Sequence, residues 1–209
     1  MGIICGLLIH RTGRYLEIIW TGLLLMTIGN GLYIYLNATS PLGQIIGFQL
    51  VAGCGAGLLF EPPLIALQAM VSQDDTATTT ATLGFVRNLA TSLSVVLGGV
   101  VFQNGIEKRI PYLQAAGLPA NVTTAFSGAD AAANVLLIGT IQDEAQKMVI
   151  KEAYAWALRN IWILTTCLAF CGVVSSVFIK KSVLSRGHVE TRTGLKEKEK
   201  EDVIVQGSR

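Results

Sequence analysis

The sequence predicts an all-α protein, a bundle of helices that cross a membrane. Hydrophobic residues make up 51% of its 209 residues and charged residues 14%, whereas a soluble domain averages about 25% charged residues. The apolar residues fall into four stretches of roughly 20 residues or more, the length that an α-helix needs to cross the hydrocarbon core of a bilayer. A net charge of +2 indicates no basic surface, so we expect a lipid bilayer as partner and no nucleic acid.

The four predicted spans carry almost no charge. They cover residues 16–36, 43–71, 81–103 and 160–179. The first has a single acid at its start, the second contains Glu61, the third contains Arg87, and the fourth has no charged residue. Apolar stretches of this length with so few charges are typical of transmembrane helices.

The chain opens with a shorter apolar run at 1–9. This run cannot span a bilayer, and it is a poor signal peptide because it has no basic start and no small-residue cleavage site. We expect it to be the end of a transmembrane helix whose beginning is absent from this chain. The basic segment 10–15 that follows is then a cytoplasmic loop.

Two further segments lie outside the predicted spans. Residues 104–159 form a long extracellular or lumenal loop that contains an amphipathic helix at 142–158, packed on the bundle or lying at the interface. Thr140 and Asp143 resemble a capping box before this helix. Residues 180–209 are rich in alternating charges, which predicts a disordered cytoplasmic tail.

Two N-x-[ST] sequons fall on the predicted outer side, at Asn37 and Asn121. Asn37 lies close to the membrane, which makes Asn121 the better candidate for N-glycosylation. The alternative for both is an unused sequon.

Residues 6–15 resemble the signature loop G-x-L-x-D-R-x-G-R-R of the major facilitator superfamily. The matching residues are Gly6, Leu8, Arg11, Gly13 and Arg14. His10 stands in place of the acid of the motif, and Tyr15 in place of its last basic residue. The resemblance implies that the two arginines latch a neighbouring helix end in one conformational state; the alternative is that they bind lipid phosphate.

Later segments resemble the C-terminal part of the fungal fourteen-span drug:proton antiporters within this superfamily. The segments that carry this likeness are 53–69, 72–77, 85–88 and 154–160. The likeness implies that the chain keeps four full spans plus the end of a fifth, and that the N-terminal half is missing. It also implies proton-coupled export of small hydrophobic or cationic compounds by alternating access, at the plasma membrane or, alternatively, the vacuolar membrane. The fragment alone is expected to be inactive.

A second hypothesis comes from a different class of protein. The chain is then a non-transporting membrane protein, derived from a transporter remnant, that acts through interactions only. An enzyme is not expected under either hypothesis, because the sequence has no nucleophile–base pair, no metal-ligand cluster and no ATP-binding loop. No catalytic residue, metal or cofactor is therefore predicted.

Glu61 is the main candidate for substrate or proton coupling. It lies 11 residues before Ser72, which places it about 16 Å from the inner edge of the membrane. A carboxylate at that depth must be protonated, paired or facing a wet cavity. Gln68, Arg87 and Asn88 are further candidates within the spans. The alternatives are structural hydrogen bonds for the acid and the amides, and snorkelling to the interface for Arg87.

The second predicted span also contains small residues and prolines. Gly53, Gly55 and Gly57 are expected to allow close helix packing, and the alternative is direct contact with substrate. Pro62 and Pro63 remove backbone donors, which predicts a kink that is either a hinge or static.

Overall fold

The computed structural model describes Gly6, Arg11, residues 15–128 and residues 130–179. These residues form helices and connecting turns without a strand, so the all-α prediction is confirmed. The helices are α1 (Tyr15–Tyr33), α2 (Leu42–Leu58), α3 (Pro62–Gln68), α4 (Thr76–Glu107), α5 (Ile110–Ala115), α6 (Ala120–Ala125), α7 (Asp130–Ala133), a 3₁₀ helix (Asn134–Thr140) and α8 (Glu144–Ser176). The predicted tail at 180–209 lies outside the described residues, as does most of the predicted helix end and loop at 1–14.

Four helical segments within the described part are long and apolar enough to cross a membrane. They are Tyr15–Tyr33, Leu42–Gln68, Thr76–Ala115 and Glu144–Ser176. This confirms the predicted bundle of four spans. Their bounds differ from the predicted ones mainly in the third and fourth spans, where the helices begin earlier in the chain.

Helices α1 and α2 pack as a close antiparallel pair. A Cβ atom added to Gly29 of α1 would lie 2.5 Å from the Cα of Ala52 on α2, and one added to Gly22 would lie 3.0 Å from the Leu59 side chain just beyond α2. Helix α1 also packs on α8, where the rings of Tyr33 and Trp162 lie 4.5 Å apart between centroids. The first, second and fourth spans thus form a three-helix group around α1.

Helix α4 packs on α8 and α3, but most of its length presents large apolar side chains to the surroundings. Phe85, Leu89, Leu93 and Val96 are all at least half exposed. Exposed apolar surface of this extent is typical of a face that contacts lipid or another protein. The spans therefore bury little within the chain itself.

The buried core is concentrated where the end of the third span and the start of the fourth meet the short helices between them, a unit that we call the cap (residues 102–157). Its buried hydrophobic residues are Phe102, Ile106, Leu113, Leu118, Phe126, Ala131, Ile138, Ile150, Ala153, Tyr154 and Ala157. The Tyr154 hydroxyl donates a hydrogen bond of 2.5 Å to the carbonyl of Ala131. The segment 104–159 is thus not a loop with one amphipathic helix, as predicted, but a folded unit with its own core.

Helix α8 also differs from the prediction. The predicted amphipathic helix at 142–158 and the predicted span at 160–179 are one continuous helix of 33 residues, about 50 Å long. No glycine or proline interrupts residues 144–171, so nothing breaks the helix where it leaves the apolar region. Its N-cap is Asp143, whose side chain accepts a hydrogen bond of 2.9 Å from the Ala145 N–H, while Thr140 ends the preceding 3₁₀ helix.

Candidate functional site

The second span is broken between α2 and α3. Helix α2 ends at Leu58 and α3 begins at Pro62. Pro62 and Pro63 lack an N–H, so neither can donate the usual helical hydrogen bond to the carbonyl four residues earlier. The Leu59 N–H turns back to the Ala56 carbonyl at 3.1 Å, and helical bonding resumes where the Ile65 N–H donates to the Glu61 carbonyl at 3.1 Å.

Arg87 of α4 lies against this break. Its Nη2 donates a hydrogen bond of 3.0 Å to the Phe60 carbonyl, and its Cζ lies 4.4 Å from the centroid of the Phe60 ring. The guanidinium thus binds both the main chain and the ring of one residue. Carbonyls near the end of a helix carry partial negative charge, which a cation stabilises.

Glu61 is the N-cap residue that precedes α3, and it is partly buried. A Cβ atom added to Gly6 would lie 3.7 Å from its Oε2, so the carboxylate lies beside the segment that precedes α1. Among the described residues, Glu61 makes no ion pair with Arg87, although Arg87 bonds the adjacent residue. The two side chains therefore do not pair with each other, although both lie at the same helix break.

The two polar side chains predicted alongside them have different surroundings. The Gln68 amide donates a hydrogen bond of 3.1 Å from Nε2 to the Thr80 hydroxyl, linking α3 to α4. Asn88 is exposed on α4. All four transport candidates therefore lie on α4, on α3 or at the residue that precedes α3, but of the three beyond Glu61 only Arg87 contacts the break.

The glycines of α2 do not share one face. A Cβ atom added to Gly55 would clash with the backbone N of Met26 on α1, whereas one added to Gly53 would meet no described atom within 4 Å. Residues two positions apart on a helix point in roughly opposite directions, which separates Gly55 from Gly53. Gly57 is partly buried. Within the described part of the chain, close packing of α2 on α1 therefore rests on Gly55, and packing at Gly53 stays a prediction.

The remaining predicted sites lie at the two ends of the spans. Arg11 is helical and exposed, while Gly13 and Arg14 lie outside the described residues. Asn37 is exposed in the turn between α1 and α2. Asn121 is exposed on α6, but the hydroxyl-bearing Thr123 of its sequon is 2% exposed.

Two relationships were not predicted from the sequence. Gly29 makes the close approach to α2 described above, and its seven-residue spacing from Gly22 was the available signal. Arg109 lies between aromatic rings in the cap, at 4.6 Å from the Trp156 ring centroid and 5.3 Å from that of Tyr112. Because Arg109 and Trp156 are far apart in sequence, no spacing pattern links them. No group of three or more His, Cys, Asp or Glu side chains in the described ranges could hold a metal ion.

The chain is similar to curated fungal transporters over nearly all of its length. An MFS-type transporter of Aspergillus terreus is 38% identical over a match that covers 91% of this chain and 34% of that protein. The efflux pump dotC of Dothistroma septosporum is 38% identical, with coverages of 93% and 33%. The MFS-type transporter ppz2 of Metarhizium majus is 34% identical, with coverages of 96% and 36%. The chain therefore spans about a third of the length of these relatives.

No protein-family model matches the chain. No solved structure matches it significantly.

Proposed function

We propose that this chain, a homologue of MFS-type transporters and efflux pumps, is part of a proton-coupled transporter that exports small hydrophobic or cationic compounds. The homology extends over 91–96% of the chain at 34–38% identity. The structural observation that carries the proposal is the broken second span, which places an acid, Glu61, beside a helix break bound by Arg87. Discontinuous helices with ionisable residues are recurrent features of transporter binding sites.

In this proposal Glu61 holds and releases a proton during the transport cycle. A carboxyl group in a poorly solvated part of a membrane protein favours its neutral form, and contact with water or a cationic substrate favours the charged form. Alternating access would change these surroundings in each cycle. The break between Leu58 and Pro62 provides the place where α3 can tilt against α2 with few helical hydrogen bonds to rearrange.

The transporter acts on its substrates without ATP and without enzymatic chemistry. Secondary transporters bind substrates between two repeats or halves near the bilayer midplane, and this chain spans about a third of its relatives' length. We therefore propose that transport requires the parts of the transporter that this chain does not match, and that residues 1–209 do not transport alone. The partners are a lipid bilayer, those remaining parts, protons and substrate, and the proposed location is the plasma membrane.

The test is disruption of the encoding gene in its source organism. Cells are loaded with the fluorescent cation rhodamine 6G, and its export is followed at several external pH values. We expect slower export after disruption and recovery when the natural gene is returned. Return of the gene with Glu61→Gln is expected to restore membrane insertion but to flatten the dependence of export on pH.

Asp74→Asn serves as the matched control, because it also converts an acid to an amide and Asp74 is exposed in the turn between α3 and α4. This variant should retain the pH dependence. Export that is unchanged by disruption would refute the proposal and favour the interaction-only hypothesis. Export that is lost on disruption but has the natural pH profile in Glu61→Gln would refute the role of Glu61 alone.

A further inference from the structure

A cavity lies where the cap meets the turn between α1 and α2. Its volume is about 330 Å³, within the range of pockets that hold small molecules. The charged side chains in its wall are Arg109, which precedes α5, and Glu152 and Arg159 of α8. Leu36 and Ala155 contribute apolar wall. This cavity involves none of the residues at the α2–α3 break.

Arg109 is held in position but incompletely satisfied. The ring of Trp156, which also lines the cavity, lies 4.6 Å from the Arg109 Cζ, and the ring of Tyr112 lies 5.3 Å from it. The Nε of Arg109 is buried and has no hydrogen-bond partner among the described residues. A buried donor without an acceptor is unfavourable. A ligand in the cavity cannot reach this buried Nε, so the partly exposed remainder of the Arg109 guanidinium, held by the two rings, is what the cavity offers to an oxygen acceptor.

The acid in the cavity does not fill this role. Glu152 Oε2 accepts a hydrogen bond of 3.1 Å from the Tyr112 hydroxyl. Within the described part of the chain it forms no ion pair with either arginine of the wall. Two arginines and one glutamate leave the wall with a net positive charge of one, so the uncompensated charge matches a monoanion.

We propose that this cavity binds a small organic monocarboxylate. The planar carboxylate matches the planar donors of a guanidinium, which donate two parallel hydrogen bonds to one carboxylate. The apolar body of the ligand would lie against Leu36 and Ala155. Inorganic phosphate carries more negative charge than a monocarboxylate, so Glu152 would repel it more strongly. It also has no apolar part to contact Leu36 and Ala155.

The test measures binding rather than transport, so its outcome is independent of the proposed export function. The complete chain in detergent micelles is titrated with benzoate, and binding is followed by calorimetry and by tryptophan fluorescence. Benzyl alcohol, the uncharged analogue, and inorganic phosphate are titrated in parallel. We expect saturable binding of benzoate, and binding of the other two weaker by ~10-fold or more.

The matched variants are Arg109→Gln and Lys108→Gln. Each removes one positive charge at neighbouring positions, but Lys108 is exposed and does not line the cavity. Arg109→Gln should weaken benzoate binding by ~10-fold or more, and Lys108→Gln should leave it within about 2-fold of the natural chain. Arg109→Lys retains the charge without the planar donors and should give an intermediate loss.

If Arg109→Gln reduces the helical circular dichroism signal, that variant is misfolded, and Arg159→Gln then tests the proposal instead. The Arg159 side chain is exposed at the cavity, so this variant should fold and bind benzoate several-fold more weakly. The proposal is overturned if benzoate does not saturate, if phosphate or benzyl alcohol binds equally well, or if the folded cavity variants bind like Lys108→Gln.

Discussion

Arg87 of α4 bonds the main chain of Phe60 at the break in the second span, with 3.0 Å between its Nη2 and the Phe60 carbonyl oxygen. The same guanidinium lies 4.4 Å from the Phe60 ring centroid. A charged donor makes a stronger hydrogen bond than a neutral one. This contact therefore joins the third span to the second at the point where the second lacks its own helical bonding.

Arg87→Ala should destabilise the bundle. Hydrogen bonds to charged groups contribute about 1.5–3 kcal/mol, so we expect the free energy of unfolding to fall by about 2 kcal/mol. The measurement is equilibrium unfolding in mixed micelles. The neighbouring substitution Asn88→Ala should change the value by less than about 0.5 kcal/mol; equal effects of the two substitutions would contradict a specific role for the contact.

Gly55→Ala should weaken the packing of α1 on α2, because the added methyl group meets the main chain of Met26. Overpacking of this kind costs about 1–3 kcal/mol. Gly53→Ala makes the same chemical change on the same helix where no described atom lies within 4 Å, and it should be neutral or slightly stabilising. Unfolding in mixed micelles measures both. A loss in Gly53→Ala as large as in Gly55→Ala would contradict a specific contact at Gly55, because Ala has the higher helix propensity at both positions.

Tyr154→Phe should loosen the cap. The substitution removes the hydrogen bond to the Ala131 carbonyl, which leaves a buried acceptor unpaired and costs about 1–3 kcal/mol. Hydrogen–deuterium exchange of the amides in the 3₁₀ helix (Asn134–Thr140) should speed up accordingly. Tyr112→Phe removes an exposed hydrogen bond to Glu152 and should have a smaller effect. Exchange rates that respond equally to both substitutions would argue against Tyr154 as an anchor of the cap.

The two connections at opposite ends of the second span should label from opposite sides of the membrane. In a chain whose native cysteines are replaced by serine, Thr39→Cys in the α1–α2 turn should react with an impermeant maleimide in intact cells. Asp74→Cys, between α3 and α4, should react only after permeabilisation. Both positions are exposed. The reverse pattern would invert the topology that the basic residues and sequons predict.

The four spans could be predicted because the length of an apolar segment, which decides whether it can cross a bilayer, is read directly from the sequence. The break near Pro62 could also be predicted, since proline removes a specific backbone donor. The cap could not. Its core joins Phe102, Phe126 and Tyr154, and such contacts depend on how short helices fold back rather than on a local period.

The packing glycines show the same limit. The run around Gly53 and Gly55 indicated a small-residue face, but sequence alone did not fix which member faces α1. The rotation of α2 is set by its contact with α1, where Gly29 meets Ala52. The contact between Arg87 and Phe60 likewise depends on which helices pack together, and the spacing of residues in the sequence does not determine that.

Helix α8 is continuous from Glu144 to Ser176, so a single helix belongs both to the cap and to the fourth span. Two tryptophans of α8 lie less than two helical turns apart. Trp156 is in the cavity wall, and Trp162 packs against the ring of Tyr33 on α1. A tilt of α1 and α2 relative to α8 displaces one wall of the cavity against the other. The helix that forms one wall of the cavity is therefore the same helix that packs on α1, so a change in the angle between these two helices would change the width of the cavity.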